Sequence, residues 1–361
     1  MAFEATKQEW SEFYVFLRLL GEGRVFLGDR KGKKFRSVFW PITYVEREEY
    51  RGTRRYYVEG ENIRMVREKE ETTIPKIEFL NLAQQILEAI EGTPSDPVSS
   101  PIEVEAFMRK YEILDLQAET QDRTDLAISF WNPRKRADGF IVRSRLGAMQ
   151  PLLAGGRAAN IKYQLTANRF SVPTVENINA IESNNTVRDR MLRIEELGGK
   201  LKYNEVADKV FRSNLQMFDG QMGRILGEMA RFMHLKEIAK VSELVAEIEE
   251  SNPLKISHEL LVKHQYYRFK VKQFLYACAL GMRPAKIYRG NDSAIQGMIF
   301  VGADGVPICY HQSEEELFME FLFTNTRLER GILERDKHGS LDRDHGEYFF
   351  RLNIQVGLTK K

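Results

Sequence analysis

Asp125 stands at the head of an apolar run, Leu126-Ala-Ile-Ser-Phe130, and Arg143 lies inside a second, Gly139-Phe-Ile-Val-Arg-Ser-Arg-Leu-Gly147, with a polar stretch between them. The two runs read as paired strands joined by a turn. Across such a pair an acid and a cation can meet over one phosphate, the acid holding a divalent metal and the cation clamping phosphate oxygens. Many metal-dependent nucleases prepare a phosphodiester for hydrolysis in this way. Arginine can grip phosphate in a fork, but it stays protonated and cannot serve as a base, whereas such sites usually carry lysine. Glu12, or Glu9 three residues before it, is the candidate second carboxylate. Each of these residues also has an ordinary use: Asp125 as a strand-opening acid, Glu9 and Glu12 on a solvated helix face.

Positioning these groups falls to elements legible in the pattern. Trp10, Phe13, Leu17 and Leu20 recur at helical spacing and predict a helix from Lys7 that stops at Gly21. Residues 36–46, 54–59 and 62–66 mix aromatic and β-branched side chains between glycines and predict a small antiparallel sheet. Helices are expected over 78–90 and from Ser100-Pro101 to Lys110. Residues 151–161 fit a short helix or a loop, and 163–164 a strand. From about residue 172 the pattern turns helical, over 175–197, 206–232, 241–250 and 257–280. It returns to strands in a hairpin around Ala303-Asp304-Gly305, then a helix over 313–323 and a last strand over 348–356. The reading is an α/β protein with a mixed central sheet flanked by helices and a largely helical second region. The expected division is a core over 1–171 and a second region over 172–361.

Composition narrows the class. A chain of 361 residues exceeds what one small core usually holds. No apolar run approaches the ~20 residues of a membrane span, and no secretory signal opens the chain, so a cytoplasmic protein with no membrane role is expected. Two cysteines and six scattered histidines form neither a disulfide framework nor a zinc pattern, so any metal should be held by oxygen. The net charge is only +2, yet residues 121–170 carry nine Lys or Arg against three acids. A basic island around a candidate metal acid suits a nucleic-acid backbone, although charge clusters are often plain solvated surface.

Several segments in order resemble one family. Lys7-Gln-Glu-Trp-Ser-Glu-Phe-Tyr-Val-Phe-Leu-Arg-Leu-Leu-Gly, the 139–147 strand, Leu152-Leu, Ala159-Asn160, Ala279-Leu-Gly-Met-Arg-Pro284, Ile308-Cys-Tyr-His311, Thr324-Asn-Thr-Arg-Leu-Glu329 and Phe350-Arg-Leu-Asn-Ile-Gln355 are similar to the HpaII-type restriction endonucleases. The resemblance implies a type II restriction enzyme of the PD-(D/E)XK superfamily that needs Mg²⁺ and cuts a short CCGG-like site in duplex DNA. A cognate methyltransferase would protect the host. It places the metal acid on Asp125, the helix acid on Glu12 with Glu9 nearby, and the catalytic lysine position on Arg143. Ile141 stands where the pattern is polar, and Pro151 and Ala154 where it has threonine and asparagine.

Reading base edges requires Arg, Asn or Gln side chains that reach a groove. The candidates are Arg145, Asn160, Arg283, Arg289, Asn325, Arg327, Arg330 and Arg335, each of which would equally serve to contact phosphate. A palindromic target would imply a homodimer. The competing reading is a DNA-binding subunit of a restriction assembly whose own cleavage is impaired at position 143.

Overall fold

Thr6 starts the first helix with a reciprocal cap: its hydroxyl accepts from Glu9 N–H (3.3 Å), and the Glu9 carboxylate takes the Thr6 N–H (2.8 Å) and hydroxyl (2.6 Å). The computed structural model describes residues 3–49, 52–68, 70–114, 116–117, 124–132, 134–290 and 294–359. This helix, Lys7–Glu22, runs through Gly21 and closes at Gly23, whose φ of 64° is the left-handed conformation that ends helices. Gly21 is present for a different reason than a stop. A Cβ there would lie 2.6 Å from Leu80 Cγ, so the missing side chain lets helix Lys76–Gly92 pack close. The helix is buried nearly all round, with Gln8, Ser11 and Glu12 inside together with Trp10, Phe13 and Leu17. The single buried stripe expected from the sequence is therefore too narrow.

The chain packs into two compact units, residues 1–150 with 293–321 and residues 151–292 with 322–359. The first holds a nine-stranded mixed sheet in the order Arg24–Gly28, Pro307–His311, Ile295–Val301, Asp138–Ser144, Leu126–Phe130, Lys34–Glu49, Gly52–Glu59, Asn62–Arg67 and Glu70–Pro75. Strand Lys34–Glu49 pairs with Arg24–Gly28 through its first part and with Leu126–Phe130 through its second. Six strands thereby close on themselves. An aromatic cluster forms there, with Trp40 edge-on to Phe130 at 5.1 Å and to His311 at 5.2 Å. The predicted hairpin forms in register Met298↔Tyr310, with Gly305 at φ 70° in its turn. It belongs to this first unit, because Ile295–Val301 runs parallel to Asp138–Ser144 with Phe300 opposite Arg143.

The second unit has a four-stranded antiparallel sheet, Lys200–Val206, Asn160–Thr166, Glu347–Asn353 and Leu341–Asp344. A separate pair joins Thr326–Glu329 to Gln355–Leu358. Around them lie helices Val172–Asn179, Thr186–Glu196, Lys209–Gln216, Met222–Leu235, Val241–Ser251 and Tyr266–Ala279. The expected boundary after residue 171 differs from this packing in two places. Residues 151–171 go with the second unit because strand Asn160–Thr166 pairs there, and the hairpin goes with the first. The long helices expected over 175–197 and 206–232 are each divided. Strand Lys200–Val206 separates the two stretches, and Asp219 turns the chain at Gly220 by accepting from Gln221 N–H (2.8 Å). Among the described residues no helix is long and apolar enough to cross a membrane.

Candidate active site

Asp125 sits just before strand Leu126–Phe130, its N–H bonded to Phe140 O at 2.8 Å. Its Oδ2 accepts from Val142 N–H at 2.6 Å, which fixes the carboxylate over the neighbouring strand. Strand register puts Leu126 opposite Phe140, so Asp125 and Ile141 face each other, and Arg143, two residues on, shares their side of the sheet. The structure brings the two predicted residues together: Arg143 Nη1 lies 3.7 Å from Asp125 Oδ2. The same Nη1 donates to Val142 O at 2.7 Å. Arg143 is only 5% exposed, whereas a quarter of the Asp125 side chain is open.

Glu12 joins them from the buried helix. It is 6% exposed, and its two oxygens accept from Gln8 Nε2 and Gln117 Nε2, both at 2.9 Å. Burial pushes its carboxyl from 4.5 up to about 7, and the Asp125 charge adds to this; the two glutamines and Arg143 pull the other way. Burial also raises Asp125, against the opposing pull of Arg143 and the Val142 N–H. Both carboxylates are thus harder to ionise chiefly because they are buried, and for Glu12 the Asp125 charge adds to this. Gln8 Oε1, buried beside Glu12, has no hydrogen-bond partner among the described residues.

This donor set suits a hard divalent cation: two carboxylates and an unpartnered amide oxygen, with no sulfur or imidazole. Among the described residues no group of three His, Cys, Asp or Glu converges on a metal position, so water would complete the shell. Glu9 is not part of this set, because its carboxylate closes the helix cap at Thr6. Ile141, on the same face as Asp125 and Arg143, is buried and apolar. The second acid therefore comes from the helix and not from that strand.

The predicted DNA contacts separate into groups. Arg145, in the first unit, is half-buried with its guanidinium 5.1 Å from the Phe300 ring. The others lie in the second unit. Asn160 is a correction, being 3% exposed and internal. Its amide donates to Asp336 O (2.8 Å) and Lys337 O (3.2 Å), while its oxygen accepts from Asn353 Nδ2 (2.7 Å). Arg283 donates to Leu152 O (3.2 Å) and Met282 O (3.0 Å), a structural tie. Arg327 is engaged by Glu329 at 2.6 Å on its own strand, and Asn325 O accepts from Thr359 N–H at 2.7 Å. Arg289, Arg330 and Arg335 are exposed. Arg335 forks onto Asp336 (2.8 and 3.0 Å), and Arg330 donates to Asn185 Oδ1 (3.0 Å). Asp336 is fully buried and also accepts from Ile332 N–H (2.8 Å), so a polar network under residues 330–338 anchors the segment that carries both exposed arginines.

The basic island is not one surface by sequence adjacency alone. Arg134, Lys135 and Arg136 are exposed in the first unit, Arg157 and Arg169 in the second, and Arg123 lies outside the described residues. Sequence reasoning missed Gln8, Gln117 and the Asp336 network. The spacing of Gln8 four residues before Glu12 was the one available signal.

A family model for the HpaII restriction endonuclease matches residues 6–358. The type II restriction enzyme HpaII of Haemophilus parainfluenzae is 28% identical over 359 residues, covering 98% of each chain. No solved structure matches.

Proposed function

The chain belongs to the HpaII restriction endonuclease family and so is a DNA-hydrolysing, site-specific endonuclease; we propose that it cuts a short, CCGG-like duplex site using Mg²⁺ held by Asp125 and Glu12. The observation that carries this reading is the Asp125–Arg143 pair with Glu12 buried near it, burial and then the Asp125 charge lifting Glu12 to about 7. A divalent cation is the natural relief of that repulsion. When bound, Mg²⁺ would lower the pKa of a coordinated water and draw charge from the phosphate.

The remaining work belongs to the chain itself. Gln8 and Gln117 hold the Glu12 carboxylate in one orientation. The Val142 N–H does the same for Asp125. Arg143, pinned between Asp125 and Val142 O, presents a fixed positive charge where a non-bridging phosphate oxygen would sit. It steadies the charge that builds as a water oxygen adds to phosphorus and the bond to the leaving sugar oxygen breaks, and it takes no proton. By the same reading the site is a variant of the PD-(D/E)XK type, with Arg143 in the lysine place. The enzyme would act as a homodimer on a palindrome in the cytoplasm, alongside a methyltransferase of the same specificity.

The test is digestion of unmethylated genomic DNA with purified protein and Mg²⁺, with the fragment ends sequenced. Discrete ends at one short motif are expected, and Asp125→Asn should abolish cutting while duplex binding persists. Intact DNA together with a clear gel shift would replace this reading with that of a cleavage-impaired binding subunit. Continued cutting by Asp125→Asn would remove Asp125 from the chemistry.

A further inference from the structure

Beneath Arg330, a pocket of about 180 Å³ in the second unit collects hydrogen-bond donors that the cleavage site does not use. Helix Thr186–Glu196, eleven residues long, begins at its wall. The residue that would normally cap it, Asn185, is occupied elsewhere. Its Oδ1 accepts from Arg330 Nη1 (3.0 Å) and its Nδ2 donates to Glu237 Oε1 (2.8 Å). No side chain therefore caps the first turn, whose N–H groups carry the positive end of the helix dipole.

The second observation is independent of the helix. His234 lines the same pocket, is 1% exposed, and has neither ring nitrogen in a hydrogen bond among the described residues; His338 beside it is 3% exposed, with its ring turned to the Gly331 backbone. Buried polar atoms are almost always satisfied, so nitrogens left open in a pocket point to something that fills it. A cation is a poor candidate. Burial is the main cause that lowers His234 to about 3, and the Arg330 guanidinium beside it adds a positive charge that disfavours a further cation. Among the described residues no acid lines the pocket itself: Glu237 is engaged with Asn185 and Arg188, Asp189 with the Ser183 hydroxyl and Asp336 with Arg335 and Ile332 N–H, while Glu182 and Glu334 line the adjoining cleft.

We propose that this pocket binds a phosphate group, held by the Arg330 guanidinium, an N–H of His234 and the open first turn of helix Thr186–Glu196. The volume accommodates a tetrahedral oxyanion with a few waters of roughly 30 Å³ each. A neutral His234 suffices, since its imidazole still offers one N–H. Two sources share this chemistry, a DNA backbone phosphate and free inorganic phosphate. The DNA alternative alone rests on the proposed function.

The experiment follows the histidine ring nitrogens by NMR in the full-length, metal-free protein while inorganic phosphate is added at constant ionic strength with chloride as control. Saturable movement of the His234 and His338 signals with phosphate and none with chloride is expected, weakened at least tenfold in Arg330→Gln. A duplex lacking the recognition motif is then added. If backbone phosphate is the ligand, the duplex displaces inorganic phosphate, and Arg330→Gln lowers the slope of log affinity against log salt by about one. If free phosphate is the ligand, the duplex leaves these signals unchanged and Arg330→Gln binds DNA like the parent. Ring signals that respond to neither phosphate nor duplex would overturn the site. That result would leave the Asp125 and Glu12 reading untouched, because no step of this titration requires cleavage.

Discussion

Replacing Glu12 by glutamine should make the metal-free protein more stable while abolishing cutting. Folded Glu12 holds its proton more tightly than in the unfolded chain, with its carboxyl near 7 in place of 4.5. Stability is therefore complete below about pH 4.5 and falls as the pH rises through 7, because ionising this buried acid beside Asp125 is unfavourable. By pH 8 the loss is about 3 kcal/mol, at about 1.4 kcal/mol per pH unit. In Glu12→Gln the new amide oxygen still accepts from Gln8 Nε2, and exposed Gln117 can turn away, so the side chain escapes the charge penalty. For a unit of this size each kcal/mol moves Tm by about 2–4 °C, so the variant should melt on the order of 10 °C higher at pH 8 in EDTA. The difference should shrink towards zero near pH 5, where Glu12 is protonated in the parent as well. Adding Mg²⁺ at pH 8 should raise the parent and leave the variant unmoved. Equal melting of the two proteins in EDTA at pH 8, or a difference that does not change with pH, would refute the crowded-carboxylate argument.

Other substitutions probe separate links. Arg143→Met should cut the single-turnover cleavage rate by about 10²–10³, the usual effect of losing one fixed charge at a developing oxyanion, with little change in duplex affinity; Arg143→Lys, which keeps the charge, should retain far more activity in the same assay. Asn160→Ala strips partners from Asp336 O, Lys337 O and Asn353 and should cost roughly 1–3 kcal/mol in urea unfolding. It should also weaken duplex binding more than Arg335→Ala does, and the reverse order would show that the network beneath residues 330–338 does not organise a DNA contact. Gly21→Ala forces a methyl to 2.6 Å from Leu80 Cγ and should lower stability by about 1–3 kcal/mol, which thermal melting would read directly.

Much of the site was legible because its strongest signals are local. Asp125 and Arg143 lie 18 residues apart on strands joined by one turn, so the alternation of each strand and the presence of that turn sufficed to bring them together. The 303–305 turn likewise specified its own hairpin, and the order of matched segments along the chain specified the family. Where sequence reading fell short, the controlling partner was distant or the pattern too short. Strand Lys200–Val206 alternates exposed and half-buried residues and is buried only at Val206, and it exists because Asn160–Thr166 and Glu347–Asn353 give it a sheet to join.

The sequence by itself determined which residues are candidates for the chemistry, the strand pair that positions Asp125 and Arg143, and the helix that carries Glu12. Only the tertiary structure decided that Glu12 is buried, that Glu9 serves a cap, and that Asn160 ties down a loop inside the protein. The reason is that periodicity records how a segment alternates, whereas the ionisation of a carboxylate depends on what surrounds it. For Glu12 one neighbour, Gln8, comes from its own helix, but Gln117, Asp125 and Arg143 are supplied by chain more than a hundred residues away.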